Sequence, residues 1–188
     1  VDGLDWTRDK WPYLAKLLLK FSSFLATIFP TAFITDSKEI ALYYKKTFHK
    51  TPHYIPYGAP IYSNYSINTP TSVLNKFSLQ KDKYILFVGR FVPENNIHIL
   101  ISAYNKITTD LKLVLVGLGR YEKNYMKSLK EHNNPNIVFT GFLTGSDYHE
   151  ICSNAYLFVE PTEASGTHPA ILDAMGYGNC VLTNNIPT

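Results

Sequence analysis

The sequence predicts an α/β protein whose larger part is a doubly wound parallel sheet with helices on both faces. One observation and one rule of topology support this prediction. From Lys83 onward, short and continuous apolar runs alternate with segments of helix length, and such runs are typical of parallel strands that are buried on both faces. Right-handed crossovers between such strands then place helices on both sides of the sheet.

Five apolar runs define the expected strands: YILFVG, LKLVLVG, NIVFTG, AYLFVE and CVLT. We expect strands near residues 84–88, 112–116, 136–140, 155–160 and 180–183. The segments of helix length between them are Asn96–Ile107, Tyr121–His132, Ser146–Ser153 and Pro169–Tyr177. This alternation of strand and helix is the pattern of an α/β domain.

Residues 1–60 have a different pattern, and we expect them to be the C-terminal part of an incomplete first domain. A helix is predicted over Pro12–Phe29, where the next residue is a proline that cannot continue it. A buried strand is expected in AFITDS, followed by a helix over Ser37–Phe48 with Asp36 as its N-cap and a capping-box spacing to Glu39. A further strand is expected in HYIPYGA.

The segment 61–78 is rich in Pro, Ser, Asn and Thr and has no hydrophobic period, so we predict a linker there. Residues 79–188 would then form the second domain, truncated at its C-terminus. The run from Leu14 to Phe29 is too short for a membrane span and is interrupted by two lysines. It is interpreted as an amphipathic helix packed in a core, with a helix on a membrane surface as the alternative.

The composition is that of an ordinary globular protein, with 45% apolar and 18% charged residues. A formal net charge of +3 is too weak to indicate a nucleic-acid partner. The two cysteines, Cys152 and Cys180, lie in apolar contexts without a C-x-x-C spacing. We therefore expect two buried, reduced thiols and a cytoplasmic protein, with the inner face of the cell membrane as a second possible location.

Ligands of such sheets bind beyond the carboxyl ends of the strands, and glycines and charged residues are concentrated there. Gly89 and Arg90 follow the first strand of the sheet, and an arginine can bind a phosphate through two parallel hydrogen bonds. The turn VGLGRYE has G-x-G after a strand, but Glu122 replaces the third glycine of a dinucleotide fingerprint. A tight turn at Gly117 is therefore favoured over an NAD site.

The segment EPTEASGTHPAILDAM predicts a strand end, a loop of small residues and a helix that begins near Pro169. The free amides near Gly166, Thr167 and His168, together with the helix dipole, favour an anion site. Asp173 lies one helical turn further on and is a candidate ligand of a ribose diol. Glu163 in the loop is a candidate ligand of a sugar hydroxyl.

The succession VGRFVPENN, LVLVG, IVFTGF and P-T-x-x-S-G-T-H-P-x-x-L-D-A-M-G-Y-G resembles the retaining glycosyltransferases of family four, which have the two-domain GT-B fold. The opening VDGLDWTRDKW with ITDSKEI and IPYGA resembles a branch of bacterial rhamnosyltransferase-like and capsular polysaccharide enzymes. The resemblance implies that residues 79–188 form most of a Rossmann-like donor-binding domain. It also implies that much of an acceptor-binding domain is missing, so that this chain is inactive by itself.

The resemblance places Arg90 on the donor diphosphate and Phe142 at the nucleobase. Asp173 stands for the second glutamate of the family's E-x-x-x-x-x-x-x-E motif, which binds the ribose. The family's usual diphosphate lysine, five residues after the arginine, is Asn95 here. The first glutamate of the motif falls on Ser165, and Glu163 is expected to take its role. His168 replaces the asparagine of the branch.

The implied activity is transfer of a hexosyl group from a nucleoside diphosphate sugar to a hydroxyl of a saccharide or lipid-linked saccharide, with retention, in bacterial surface polysaccharide synthesis. The sequence has no D-x-D pair, so we expect no metal site and no cofactor. Three alternatives remain open. They are a sugar-nucleotide epimerase or a phosphorylase on the same fold, and a non-catalytic module that binds sugar nucleotides.

Overall fold

The computed structural model describes residues 4–7, 11–59, 61–62, 72–119, 123–163 and 168–185. These residues form two compact units. The described residues up to Gly58, with His168 and Asn185, belong to the smaller unit. The larger unit contains the described residues of Ala59–Glu163 and Pro169–Asn184.

The smaller unit begins with one turn of 3-10 helix and continues with two helices and two short strands. These elements are the 3-10 turn Asp5–Thr7, α1 (Tyr13–Leu25), β1 (Ile34–Thr35), α2 (Lys38–Phe48) and β2 (His53–Tyr54). The two strands pair in parallel. Rings of α2, including Tyr44 and Phe48, pack together with Trp6, Phe24 and Phe33 in an aromatic cluster around this helix.

Three details of the smaller unit differ from the sequence prediction. Helix α1 ends at Leu25 instead of Phe29. After Leu25, amides donate to carbonyls three residues earlier, as the Ile28 amide does to the Leu25 carbonyl, and such bonds belong to a 3-10 turn. The N-cap of α2 is Ser37, not Asp36, since the Ser37 hydroxyl accepts from the amide of Ile40 at 3.3 Å. Strand β1, which was predicted to be buried, is buried at Thr35 but exposed at Ile34.

The apolar face of α1 is exposed. No residue of this helix is buried, and its exposed apolar side chains are Tyr13, Leu14, Leu17, Leu18, Phe21 and Phe24. Four of them line an open groove of about 800 Å³ together with Lys20 of α1 and three residues of α2: Leu14, Leu17, Leu18 and Phe21, with Tyr43, Thr47 and Phe48. An apolar surface of this kind usually has a partner.

The larger unit alternates helices and strands along the chain. Its elements are α3 (Ser72–Lys76), β3 (Tyr84–Val88), a 3-10 turn (Pro93–Asn95), α4 (Ile97–Tyr104), β4 (Lys112–Val116), α5 (Lys123–Lys130), β5 (Ile137–Gly141), α6 (Gly145–Ser153), β6 (Leu157–Glu160), α7 (Pro169–Gly176) and β7 (Cys180–Thr183). Strands β3 to β7 form one sheet in the order β5-β4-β3-β6-β7, and every neighbouring pair is parallel. The predicted doubly wound sheet is thus confirmed, with β6 shorter at its start than expected.

Alternate side chains of the central strand β3 pack into two hydrophobic cores, one on each face of the sheet. Tyr84 and Leu86 point to the side of α3, α6 and α7, whereas Ile85 and Phe87 point to the side of α4 and α5. This alternation explains why the strand reads as a continuous apolar run. Helix α3 lies within the segment predicted as linker, and its Leu74 belongs to the first core.

The prediction of two buried cysteines holds for one of them. Cys152 is buried in α6, and burial raises the pKa of its thiol to about 12. Cys180 is exposed, because it begins β7, which among the described residues is the last strand of the sheet and pairs with β6.

Candidate functional site

The order of the strands reverses between β3 and β6. The chain moves outward from β3 through β4 to β5, and then returns to the other side of β3 with β6 and β7. In an open α/β sheet, the crevice for a ligand lies beyond the carboxyl ends of the strands at such a switch point. The residues that flank it here are Gly89 and Arg90 after β3, and Pro161 to Glu163 after β6.

Backbone segments at this edge approach each other closely. The Gly117 amide donates to the Gly141 carbonyl at 3.0 Å, and the Gly89 amide donates to the Val116 carbonyl at 3.0 Å. Gly117 has φ +146°, and a Cβ at this position would overlap the carbonyl oxygen of Gly89. The turn after β4 therefore requires a glycine, both for its backbone angle and for this close approach.

Arg90 carries an exposed side chain at the end of β3. Its carbonyl accepts a hydrogen bond of 2.7 Å from Nδ2 of Asn95, which lies in the 3-10 turn Pro93–Asn95. The side-chain oxygen of Asn95 lies 3.2 Å from the hydroxyl of Thr162, which donates to it. Asn95 is only 8% exposed. The Arg90 residue is thus exposed directly after β3, whereas Asn95 is buried and bonded to the Arg90 backbone.

Further hydrogen bonds join the loops after β3 and β6. The Glu163 amide donates to the Glu94 carbonyl at 3.0 Å. Nδ2 of Asn96 donates to the Pro161 carbonyl at 3.1 Å. Asn184, which follows β7, donates to the carbonyls of Pro161 and Thr162. The two loops that border the switch point are therefore held together by several polar contacts.

The other predicted site residues follow strands, lie in or directly before α7, or fall outside the described residues. Glu163 is exposed directly after the hydrogen-bonded Thr162, and Phe142 is 67% exposed directly after β5. His168 is half-buried and directly precedes α7. Gly166 and Thr167 lie outside the described residues.

Asp173 is half-buried in α7, and its Oδ2 accepts a hydrogen bond of 2.9 Å from the hydroxyl of Tyr148 in α6. Burial is the main cause that raises the pKa of Tyr148, and the nearby carboxylate of Asp173 adds to it. The phenol therefore remains a hydrogen-bond donor at neutral pH. One carboxylate oxygen of Asp173 thus has a partner inside the protein.

Sequence reasoning missed Glu160, the last residue of β6. Its side chain is 2% exposed, and burial raises the pKa of its carboxyl group to about 7. Its sequence signal was a charged residue at the end of a continuous apolar run, directly before the glycine- and proline-containing loop. The roles of Thr162 and Asn96 had no such signal.

No group of three or more His, Cys, Asp or Glu residues in the part of the chain that the structure describes is arranged to hold a metal ion. Among the same residues, no helix is both long and apolar enough to cross a membrane.

The chain matches known families over most of its length. Residues 73–188 match the family described as Glycosyl transferases group 1. Residues 1–60 match a family described as a domain of unknown function, DUF1972.

Two curated relatives illustrate the similarity. The chain is 28% identical over 120 residues to the O-antigen chain mannosyltransferase B of Escherichia coli. The aligned region covers 61% of this chain and 32% of that protein. It is 41% identical over 63 residues to a protein of Campylobacter jejuni, the N-acetylgalactosamine-N,N'-diacetylbacillosaminyl-diphospho-undecaprenol 4-alpha-N-acetylgalactosaminyltransferase. This aligned region covers 33% of this chain and 17% of that protein. These matches thus extend over a third or less of the relatives' own length.

Solved structures show the same fold. The structure of Alr3699/HepE of Anabaena in complex with UDP-glucose superposes with a TM-score of 0.77 at 20% identity, over 96% of this chain and 51% of that chain. At this level of identity the similarity shows the fold alone. The sheet, its switch point and the family match over residues 73–188 lead to one conclusion: the chain belongs to the group 1 glycosyl transferases.

Proposed function

We propose that this chain is the donor-binding part of a retaining hexosyltransferase. In this proposal, the enzyme moves a sugar from a nucleoside diphosphate sugar to a hydroxyl of a saccharide or lipid-linked saccharide during synthesis of a bacterial surface polysaccharide. One observation carries the proposal. In a chain of the group 1 glycosyl transferases, the switch point of the sheet presents an exposed arginine, Arg90, beside loops that are held close together.

The proposed reaction breaks the bond between the anomeric carbon and the donor diphosphate, and it forms a bond from that carbon to the acceptor oxygen. Negative charge develops on the leaving diphosphate, and the proton of the acceptor hydroxyl passes to the diphosphate oxygen that leaves the anomeric carbon. Fixed cations and dipoles aimed at that charge lower the barrier. Arg90 supplies the cation, and the amides that precede α7 supply the dipole, with Gly166, Thr167 and His168 as the residues assigned to them.

The remaining roles in this proposal follow the positions of the side chains. Phe142, exposed after β5, lines the nucleobase. Asp173 accepts from the ribose diol with the oxygen that Tyr148 leaves available. Glu163, exposed in the loop after β6, binds a hydroxyl of the donor sugar. Gly89 and Gly117 keep the backbone clear of side-chain atoms beside the diphosphate.

The relatives support the choice of substrates. Their names describe mannosyl transfer to an O-antigen chain and N-acetylgalactosaminyl transfer to a diphospho-undecaprenol-linked saccharide, and the structural neighbour binds UDP-glucose. We extend the donor class and the acceptor class, but no particular sugar, to this chain. Retention belongs to the proposal because the motifs resemble retaining enzymes of family four.

Peripheral contact with the membrane is a second part of the proposal. The exposed apolar residues of α1 lie beside Lys16 and Lys20, and such a combination favours the surface of an anionic bilayer. Sedimentation with vesicles of anionic and of neutral lipids tests it. Binding to neither kind of vesicle by the protein that carries both domains would leave packing within the first domain as the role of this face.

A screen of nucleoside diphosphate sugars by thermal shift, followed by a transfer assay with each ligand that binds, tests the function. The full-length protein is used for both measurements, because this chain spans about half the length of the structural neighbour that it matches. We expect stabilisation by a nucleoside diphosphate sugar and transfer to a hydroxyl acceptor. Epimerised donor would favour a sugar-nucleotide epimerase, phosphorolysis of a glycoside would favour a phosphorylase, and binding without turnover would favour a non-catalytic module.

A further inference from the structure

We propose that Asn95 is a positioning residue that holds Arg90 and the loop after β6 in the arrangement that binds the donor diphosphate, instead of contacting the diphosphate itself. This inference rests on the proposed function. It assigns a role to the position at which the resembled enzymes carry a lysine.

The side chain of Asn95 forms a hydrogen bond at each end of its amide group. Its Nδ2 donates to the Arg90 carbonyl at 2.7 Å, and its Oδ1 accepts from Thr162 at 3.2 Å. The side chain is 8% exposed. An asparagine that is used at both ends inside the protein, and that is this deeply buried, has little surface left for a ligand.

The hydrogen bonds of Asn95 connect the loops that follow two neighbouring strands. Arg90 follows β3 and Thr162 follows β6, so the Asn95 side chain spans the switch point between the two strands. The Thr162 hydroxyl shares its one proton between Oδ1 of Asn95 and the carbonyl of Glu94, which lies at 3.3 Å. That same Glu94 carbonyl also accepts from the Glu163 amide. Asn95 is therefore the side chain that connects the backbone of Arg90 to the loop of Glu163.

A lysine at position 95 could not form the same hydrogen bonds as the asparagine. A lysine side chain has three hydrogen-bond donors and no acceptor, so it cannot accept a hydrogen bond from the Thr162 hydroxyl. An asparagine has both functions in one rigid plane and can join a carbonyl to a hydroxyl. The replacement removes a charge from the diphosphate site and adds a fixed connection under Arg90. The effect of Asn95 on donor binding must then act through Arg90.

A double-mutant cycle between Asn95 and Arg90 tests this. Binding of UDP, GDP and dTDP is measured by calorimetry on the protein that carries both domains, with Asn95→Ala, Arg90→Ala and the double variant. We expect Asn95→Ala to weaken nucleoside diphosphate binding by about five-fold when Arg90 is present, because the two hydrogen bonds that it removes position Arg90 and do not contact the ligand. In the Arg90→Ala background its effect should fall below about two-fold, since coupled residues are not additive.

A second pair of variants keeps the test decisive if Asn95→Ala does not fold. Thr162→Val removes the donor to Asn95 at nearly constant volume, and Thr162→Ser keeps it. We expect Thr162→Val to weaken binding like Asn95→Ala and Thr162→Ser to restore most of the affinity. Asn105→Ala is the matched control, because Asn105 accepts from Asn134 in an exposed pair distant from the switch point.

The outcomes separate this inference from the proposed function. Equal loss from Asn95→Ala in both Arg90 backgrounds, or no loss in either, overturns the positioning role while Arg90 still binds the diphosphate. If Arg90→Ala itself binds like the unchanged protein, the proposed diphosphate site is overturned, and the inference is overturned with it.

Discussion

The α-carbon of Gly117 faces the carbonyl oxygen of Gly89 so closely that a Cβ on Gly117 would overlap that oxygen and also lie 3.0 Å from the Gly89 carbonyl carbon. Gly89 follows β3 and Gly117 follows β4, so this contact joins the ends of two neighbouring strands at the carboxyl edge of the sheet. The same edge carries Arg90. The path of the backbone below the proposed diphosphate site therefore depends on a position that excludes any side chain.

Replacement of Gly117 by alanine should strongly destabilise the larger unit. The substitution adds a clash between backbone atoms to the strain of φ +146°, and we expect a loss of more than about 2 kcal/mol in the free energy of unfolding. Thermal unfolding measures it. Gly178→Ala is the control, since Gly178 also has a positive φ but a Cβ there would meet nothing within 4 Å. Equal losses for the two variants would show that the contact with Gly89 contributes nothing.

Removal of the Arg90 side chain should weaken nucleoside diphosphate binding. A charged hydrogen bond contributes about 1.5–3 kcal/mol, so Arg90→Ala is expected to lower the affinity by roughly ten- to a hundred-fold. The side chain is exposed, and the variant should therefore unfold at nearly the same temperature as the unchanged protein. Lys106→Ala removes an exposed cation that follows α4 and serves as a control with no expected effect on affinity.

Asp173→Asn should cost less affinity than Arg90→Ala. The amide oxygen of asparagine can still accept from a ribose hydroxyl or from Tyr148, whose hydroxyl donates to Asp173 at 2.9 Å. Calorimetry with UDP and dTDP compares the two variants directly. A larger loss for Asp173→Asn than for Arg90→Ala would contradict the assignment of Arg90 as the main side-chain ligand.

Glu160 should make stability depend on pH. Burial raises the pKa of its carboxyl group from 4.5 to about 7, so the folded protein binds the proton more tightly than the unfolded chain does. Its contribution is fully present below about pH 4.5 and is lost as the pH rises through about 7, a change of about 3 kcal/mol. Glu160→Gln should therefore gain stability relative to the unchanged protein between pH 5 and pH 8. Exposed Glu131→Gln should show no such gain in the same unfolding experiments.

The exposed face of α1 should cause this chain to self-associate. Leu14, Leu17, Leu18 and Phe21 line an open apolar groove, and water contact with such a surface is unfavourable. We expect Leu17→Ser with Phe21→Ser to increase the monomer fraction in sedimentation velocity. Ile107→Ser, at an exposed apolar residue in the larger unit, should leave the association unchanged. A monodisperse monomer of the unchanged chain at high concentration would contradict the prediction.

Much of the fold could be predicted because its signals are local. The five apolar runs lie where the strands are, and Pro169 begins α7 as its ring geometry favours. The N-cap of α2 shows the limit of such reasoning. Asp36 and Ser37 are both good capping residues, and the choice between them depends on which one has extended backbone angles, as Ser37 has with φ −118° and ψ 134°.

The places of several candidate site residues were predictable from the sequence, whereas their roles stay predictions. Arg90, Glu163 and Phe142 were identified because they follow strands, and they are exposed there. The hydrogen bonds of Asn95 were not predictable, since Arg90 is five residues away and Thr162 is 67 residues away in the chain. The position of Glu160 was visible in the sequence, but its burial and its raised pKa depend on what packs around β6.

The sequence by itself determined the alternation of strands and helices, the parallel sheet and the residues that follow each strand, because hydrophobic period and turn chemistry depend on neighbouring residues. Only the tertiary structure decided that β6 lies beside β3, which brings Arg90, Asn95 and Thr162 to one switch point. It also decided that Asn95 is used inside the protein and that Gly117 must lack a side chain. Contacts between segments distant in the chain arise from packing, and no local pattern of residues specifies which backbone atoms they bring together.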